Sequence, residues 1–301
     1  MNEKDWILLQ TLYEVKSITK TAEMLYISQP AITYRLSSIE REFGIEIAKR
    51  SNKGLKFTSE GEYLVHYFEK MSRELEKTKD WLLNMGKKNQ GNLRLGVSST
   101  FSYYRLPEIL KKFMEEFPNI QVEVTTGWSS AILKKLEDEK IHIGIIRGGY
   151  DWKANSILIS KENVCLISKD KIDIKKTSGH ETYFFDRSNL LELMIKDWWN
   201  NNFKLPPQIV MDVDRIETCK EMVRHGLGYG IIPGICLQPK DQFYTYNLKI
   251  NDEDLIRKTW MIYSEDSLES PVVNAFVQYL TAHIHNGEVS KNAVDTFTQA
   301  P

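Results

Sequence analysis

Ser17-Ile18-Thr19-Lys20-Thr21-Ala22-Glu23-Met24-Leu25-Tyr26-Ile27-Ser28-Gln29-Pro30-Ala31-Ile32-Thr33-Tyr34-Arg35-Leu36 decides how the front of this 301-residue chain folds. Thr19 can cap a short helix carrying Ala22, Met24 and Leu25, and a break follows at Tyr26-Ile27. Ser28 is a good N-cap, and Pro30 falls in the first turn after it, where a missing amide proton costs nothing. The apolar stripe of this next helix is Ile32, Leu36, Ile39 and Phe43, which leaves Thr33, Tyr34, Ser37 and Arg41 on other faces. Gly44 ends it.

Upstream, Trp6, Leu9, Leu12, Tyr13 and Val15 recur near helical spacing. Downstream, Ile45 to Phe57 holds two short extended segments around Ser51-Asn52-Lys53-Gly54, a reversal that makes a wing-like hairpin. Thr58 or Ser59 opens the following helix, and Ser59 with Glu62 has capping-box spacing. Along that helix Leu64, Phe68, Met71, Leu75, Thr78, Leu82 and Met85 form a heptad seam with charged flanks. Self-association through a partner helix is expected, with Leu64, Phe68, Met71, Leu75 and Leu82 as its contacts; a surface helix resting on a neighbouring domain is the plainer alternative.

A polar stretch bounded by Gly86 and Gly91 reads as a hinge, after which strands and helices alternate. Strands are expected at Leu93–Ser98, Ile120–Thr126, Ile141–Arg147, Val164–Ser168, Tyr183–Asp186, Gln208–Val213 and Tyr229–Pro233. Helices are expected at Leu106–Phe117, Ser130–Glu139, Leu190–Asn201, Arg215–His225 and Pro271–His285. The fold class is a multidomain α/β chain: a helical, winged head at residues 1–58, a long helix at 59–86, a hinge at 87–92 and a two-lobed α/β domain at 93–285. Its first lobe takes about 93–147 and 268–285, its second about 160–264, and a loose tail covers 286–301.

Composition limits the function. With 40 Lys plus Arg against 41 Asp plus Glu, the formal charge is −1, so any nucleic-acid site must be local. Between Lys16 and Lys56 there are eight basic and four acidic residues, a net of +4. The three cysteines, Cys165, Cys219 and Cys236, have neither disulfide-framework nor zinc spacing, and a reducing compartment fits. The six histidines show no metal spacing, so neither a metal nor a cofactor is expected. Neither a signal-peptide core nor the roughly 18 apolar residues of a membrane span is seen, and a cytoplasmic protein without membrane contact is expected.

Residues 17–61 resemble the winged helix-turn-helix of LysR-type transcriptional regulators, through Ala22, Leu25, Ser28-Gln29-Pro30-Ala31, Ile39-Glu40, Gly44, Arg50, Thr58 and Gly61. The likeness extends over nearly the whole chain, since that family also has a long dimerising helix, a hinge and a two-lobed effector domain similar to periplasmic solute receptors. His225-Gly226-Leu227-Gly228-Tyr229-Gly230-Ile231-Ile232-Pro233 looks like its late glycine-rich strand entry. Where the family has a Leu-Phe pair before the wing arginine, this chain has Ile47-Ala48, and weaker packing at the wing base is expected. The resemblance implies promoter DNA, a small-molecule effector, a second copy of the chain (a homodimer or homotetramer) and RNA polymerase as partners, and no enzymatic activity.

A helix in the major groove presents base-edge readers from its first turns while basic residues around it hold phosphates. Gln29, Pro30, Thr33 and Tyr34 occupy that leading face, with Ser28 at its start. Gln29 carries donor and acceptor for an adenine edge, and Pro30 and the Thr33 methyl can touch a thymine methyl. Arg50 and Lys53, on the wing, are candidates for the adjacent phosphates or the minor groove, and Lys20 and Arg35 for the backbone; a solvated surface role is the alternative for each lysine.

Ligands of open α/β sheets sit at the carboxyl ends of strands, near helix N-termini whose free amides attract anions. Ser98-Ser99-Thr100 lies at one such end and Gly127-Trp128-Ser129-Ser130 at another. Their hydroxyls can bind a carboxylate, sulfate or phosphate, or simply cap helices. The resemblance matches Ser98 and Thr100 to effector-contacting positions and puts the Trp128 segment on the opposite wall. Arg147, at the crossover between lobes, is placed to pair with an anion or with a carboxylate such as Asp151.

Other classes fit less well. Gly226, Gly228 and Gly230 enter a strand rather than leave one, which is the wrong order for a dinucleotide loop. No nucleophile elbow is present. Cys219 and Cys236 could serve as an oxidant-sensing pair, though small apolar filling is the simpler role. A stand-alone solute-binding α/β protein with an accessory helical domain would account for residues 93–285 but leaves the first eighty-five without a purpose.

Overall fold

The computed structural model describes residues 2–51, 54–84, 90–174, 183–184, 189–207, 211, 213, 215–238 and 240–285. They fall into two compact units, Met1–Leu82 and Leu83–Pro301. Among the described residues, no helix is long and apolar enough to cross a membrane.

The first unit runs α1 (Glu3–Val15), α2 (Ile18–Leu25), α3 (Gln29–Phe43), β1 (Ala48–Ser51), β2 (Gly54–Phe57) and α4 (Ser59–Asn84). Each helix begins at a side-chain cap. Asn2 and Asp5 form a reciprocal capping box on α1. Ser17 Oγ accepts from the Lys20 amide, so the cap of α2 lies two residues before the Thr19 cap expected from sequence. Ser28 Oγ accepts from the Ala31 amide at 3.4 Å, with Pro30 in the first turn, and Gly44 closes α3 at φ 66°. For α4 the cap is Thr58, whose Oγ1 accepts from the Gly61 amide at 3.0 Å, in place of a Ser59–Glu62 box.

One core holds this unit. Leu8, Leu9 and Leu12 of α1 meet Ile32, Leu36 and Ile39 of α3, together with Ile47, Leu55 and Phe57 around the hairpin and Leu64, Val65 and Phe68 of α4. Burying such a side chain stabilises by roughly 1.5–3 kcal/mol. Leu64 and Phe68, expected to face a partner helix, are therefore spent on the chain's own core, at 6% and 1% exposure. The seam that remains outside it is Met71, Leu75 and Leu82, of which Leu82 is exposed and Met71 and Leu75 are half-buried. Phe43 also departs from expectation: its ring contacts Phe68 at 6.0 Å but the side chain stays exposed.

The wing base is well packed. Ala48 pairs with Phe57 across the hairpin, and the Tyr13 ring sits edge-on to Phe57 at 5.0 Å, so α1 and β2 supply the aromatic bulk that Ile47-Ala48 lacks. The Ile47 amide donates to Glu40 Oε1 at 2.9 Å, and its carbonyl accepts from the Thr58 amide at 3.0 Å. A Cβ on Gly61 would meet that carbonyl oxygen at 2.2 Å, so α4 approaches the wing closely only because residue 61 has no side chain.

The second unit comprises β3 (Gly91–Ser98), α5 (Ser99–Tyr104), α6 (Leu106–Glu116), β4 (Ile120–Gly127), α7 (Ser129–Glu137), β5 (Ile143–Arg147), β6 (Asn155–Ser168), β7 (Tyr183–Phe184) and α8 (Asn189–Asn202). It continues with α9 (Ile216–Arg224), β8 (Tyr229–Pro233), β9 (Tyr244–Asn247), β10 (Lys249–Ile250), β11 (Glu253–Asp254), β12 (Ile256–Tyr263) and α10 (Pro271–His285). The main sheet has the order β4-β3-β5-β12-β6-β8-β7, with β9 also on β6 and β10-β11 a separate hairpin.

In the first lobe β3 is parallel to both β4 and β5, and β12 lies antiparallel on β5. Leu93, Leu95 and Val97 of β3 pack with Phe101, Phe113 and Phe276 in its core. The long strand β6 joins the lobes. Its residues Asn155–Asn163 pair with β12, and Val164–Ser168 pair with β8 and β9. A second cluster, with Val164, Leu191, Trp198, Trp199 and Ile231, fills the other lobe.

One assignment changes. Residues 259–263, placed in the second lobe from sequence, pair as part of β12 with β5 of the first. The helix α5 and the front half of β6 were also unmarked by any sequence signal. Of the expected hinge, residues 87–89 lie outside the described residues, while Gly91 and Asn92 already pair in β3. The tail 286–301, and most of the strand expected at Gln208–Val213, lie outside them too.

Candidate functional site

In the first unit, α3 is held against α1 and the wing, so its outer side is fixed by the packing of its inner one. Gln29, Pro30 and Tyr34 are exposed and Thr33 is half-buried. Gln29, Pro30, Thr33, Tyr34 and Ser37 line one open concavity of about 770 Å³, bounded also by Lys16–Thr19 and by Gly54–Leu55 at the start of β2. Gly54, at φ 111°, keeps that wall close: a Cβ there would meet the Lys16 carbonyl oxygen at 2.8 Å. Thr33 Oγ1 donates to the Gln29 carbonyl at 3.1 Å, which leaves its methyl group and lone pairs for other contacts.

The basic residues divide. Lys20 is exposed, as is Ser28. Arg35, its side chain 37% exposed, donates to Asp5 Oδ1 at 3.1 Å and so links α3 to α1. Arg50 lies on β1, opposite Leu55, and Lys53 lies outside the described residues.

In the second unit, a cavity of about 1110 Å³ opens at the carboxyl ends of β3, β4 and β5. Ser98, Ser99, Thr100, Trp128, Ser129 and Arg147, all expected at a ligand site, line it together. Arg147 pairs with a carboxylate, and it is Glu162 rather than Asp151. Its guanidinium donates to Glu162 of β6, and its amide donates to Ser129 Oγ at 3.0 Å. Arg257, 5% exposed on β12, lies directly across the ladder from Glu162 and lines the same cavity. Arg147, Arg215 and Arg257 line the cavity together with one carboxylate, Glu217.

Three helices open onto this cavity, and none has a side-chain cap: α5 behind Ser98, α7 behind Trp128 and α9 behind Arg215. Their first amides are thus presented as donors, at the positive ends of the helix dipoles. The Ser98 hydroxyl, on a residue 95% buried by its 5% exposure, has no hydrogen-bond partner among the described residues. Tyr150 also lines the cavity; burial pushes its hydroxyl pKa up, against the opposing influences of Arg257 and of a hydrogen bond to Ser129.

Sequence reasoning missed Arg215, Arg257 and Tyr150. The alternation of Arg257, Thr259 and Met261 with Lys258 and Trp260 is the signal that could have found Arg257, as an inward position of a strand. Among the described residues, no group of three or more His, Cys, Asp or Glu could hold a metal ion, and the three cysteines are free and buried.

Comparison with known proteins gives a consistent picture. Residues 4–62 match the family described as bacterial regulatory helix-turn-helix protein, lysR family, and residues 86–284 match the LysR substrate binding domain. An uncharacterised HTH-type transcriptional regulator of Bacillus subtilis, YraN, is 47% identical over 283 residues, covering 93% of this chain and 97% of that one. A second from the same organism, YkuM, is 34% identical over 276 residues, covering 91% and 94%. Among solved structures, full-length CbnR complexed with its target DNA superposes with a TM-score of 0.65 at 16% identity, covering 94% of this chain and 99% of that one. Full-length OxyR from Pseudomonas aeruginosa gives 0.65 at 17%, covering 100% and 99%.

Proposed function

We propose that this chain, which belongs to the LysR family of bacterial transcriptional regulators, reads promoter DNA with the leading face of α3 and is controlled by an organic anion held in the cavity of its second unit. Gln29, Pro30, Thr33 and Tyr34 read base edges; Ser28, Lys20 and the wing residues Arg50 and Lys53 hold the backbone. Arg35 positions α3 through Asp5. One such head gives a short footprint, and the remaining seam of Met71, Leu75 and Leu82 pairs two copies so that half-sites are read together. The assembly is a homodimer or homotetramer, with RNA polymerase as a further partner and the cytoplasm as its location. Its relatives are described as regulators, and we assign no catalytic step.

The observation that carries the effector reading is the convergence of the uncapped N-termini of α7 and α9 on a cavity lined by Arg147, Arg215 and Arg257 and by one carboxylate, Glu217. An anion that binds one arrangement of the lobes better than another shifts the regulator by that difference in affinity. Footprinting on the DNA upstream of the protein's own coding sequence tests the DNA reading: two half-sites about one helical turn or a multiple apart are expected. Calorimetry with metabolite anions tests the effector reading. Binding should weaken when Ser98→Ala and Thr100→Ala are combined; no heat from any anion, or equal heats in both proteins, overturns it.

A further inference from the structure

Lys16, between α1 and α2, holds a left-handed backbone at φ 53°, a conformation that is costly for any residue with a Cβ. Its amide closes α1 on the Leu12 carbonyl at 2.9 Å, and Ser17 caps α2 directly after it, so the two helices turn on this one residue. The turn aims the Lys16 carbonyl at the wing, where it accepts from the Leu55 amide at 3.0 Å. Leu55 stands directly across the hairpin from Arg50, and its side chain is buried in the core of the head. The fit is close on the wing side too: Gly54 sits at φ 111°, and a Cβ there would meet the same carbonyl oxygen at 2.8 Å. Only glycine satisfies both conditions. The lysine side chain takes no part in this joint, since its ammonium lies over the Tyr13 ring, 5.8 Å from the centroid.

Building on the DNA reading of the first unit, we propose that Lys16 is a positioning residue of the DNA interface: its left-handed turn presents the carbonyl that fixes β2, and so the place of Arg50, relative to the leading face of α3. Lys16, Ser17, Gly54 and Leu55 bound the same concavity as Gln29, Pro30, Thr33 and Tyr34, so the joint spans the gap between wing and reading helix. A wing released from this carbonyl is still a hairpin, because β1 and β2 keep their own ladder. What it loses is a fixed distance from α3, and with it the backbone contact beside the groove that α3 enters. The backbone of residue 16, rather than its charge, therefore sets the interface.

The test uses the full chain on the duplex from upstream of its own coding sequence, with two footprints. Hydroxyl radicals report the backbone flanking each half-site, and methylation of guanine N7 reports the major groove that α3 reads. Lys16→Gly and Lys16→Asn both discard the ammonium yet tolerate a positive φ, whereas Lys16→Val discards it and resists that conformation. The first two should bind within about twofold of the parent, with flank protection intact. Lys16→Val should bind about tenfold more weakly, lose flank protection, keep guanine N7 protection at saturating protein, and show a salt slope shallower by about one per head. General loss of the fold would weaken both footprints in step, so the split between them marks positioning. Should Lys16→Val fail to fold, Gly54→Ala, which leaves residue 16 intact, replaces it with the same expectation. Equal behaviour of the three Lys16 variants, whether all keep or all lose the flank, overturns the proposal while the DNA reading stands. A parent that protects the groove but not the flank overturns it too, and a parent that protects neither overturns the DNA reading as well.

Discussion

Arg147 donates to Glu162 in a place where both side chains are almost wholly withdrawn from water, and Arg257 faces the same glutamate across the β6–β12 ladder. The strand that carries Glu162 is the one that pairs with first-lobe strands along its front half and second-lobe strands along its back half. A single buried carboxylate therefore ties Arg147, on the cavity wall, to the strand that joins the lobes.

Removing that carboxylate leaves the Arg147 guanidinium buried without its anion. Glu162→Gln is expected to destabilise the second unit by about 3–5 kcal/mol, the usual cost of stranding one side of a buried pair. Urea unfolding followed by near-ultraviolet circular dichroism measures it. A loss under about 1 kcal/mol would mean that the pair is not the support described here.

The seam of α4 should divide into two classes. Phe68→Ala, in the core of the first unit, is expected to cost about 3–5 kcal/mol. Leu82→Glu, at an exposed position, should leave the melting temperature of the separated chain nearly unchanged but shift sedimentation velocity towards monomer. Unaltered sedimentation in a Leu75→Glu, Leu82→Glu double variant would remove the seam as an interface.

Gly61→Ala should loosen the wing. The added methyl meets the Ile47 carbonyl oxygen at 2.2 Å, a backbone atom already bonded to Thr58, so either α4 or the hairpin must move. A destabilisation of about 1–3 kcal/mol is expected, with weaker DNA binding at temperatures where the head is still folded. Thermal melts that match the parent would contradict the close approach.

Burial pushes the Cys165 thiol up to about 12, and it pushes Cys236 and Tyr104 up as well. Folding keeps these groups protonated while the unfolded chain ionises them, so their contribution to stability is complete below the ordinary thiol value of 9.0 and declines as pH rises towards 12. Stability measured between pH 8 and pH 12 should fall accordingly. At pH 8 the native protein's three buried thiols should react with a thiol reagent only after unfolding; rapid labelling of the folded chain would show that one is accessible.

Much of the fold was legible because local chemistry dictates it. Ser28, Pro30 and Gly44 bound α3 in the sequence as they do in the structure, since cap, fixed φ and left-handed exit each need only nearby residues. Thr19 misled because Ser17 offers the same oxygen two residues earlier. The strand β12 and the front of β6 could not be read, as their burial depends on each other and on β5, more than a hundred residues from β12. Six cavity residues are legible from their positions at strand ends, whereas Arg257 is legible only once residues 256–263 are recognised as a strand, since its alternation with Lys258 and Trp260 then puts it inwards. Leu64 and Phe68 obey the heptad and still turn inwards, because the head needs α4 to close its core before a partner can use it.

The central claim is that two α3 helices, delivered by paired chains, read a defined promoter sequence. Its most direct measurement is a fluorescence-anisotropy titration of the full chain against labelled DNA from upstream of its own gene, run at several salt concentrations beside a scrambled duplex of equal length. The account predicts saturable binding at least a hundredfold tighter than to the scrambled duplex, about 10³–10⁷ being usual, falling steeply with salt and lost from the upstream DNA alone when Gln29→Ala and Thr33→Val are combined. Equal affinity for the two duplexes, or binding by a monomer unaffected by those substitutions, would contradict it.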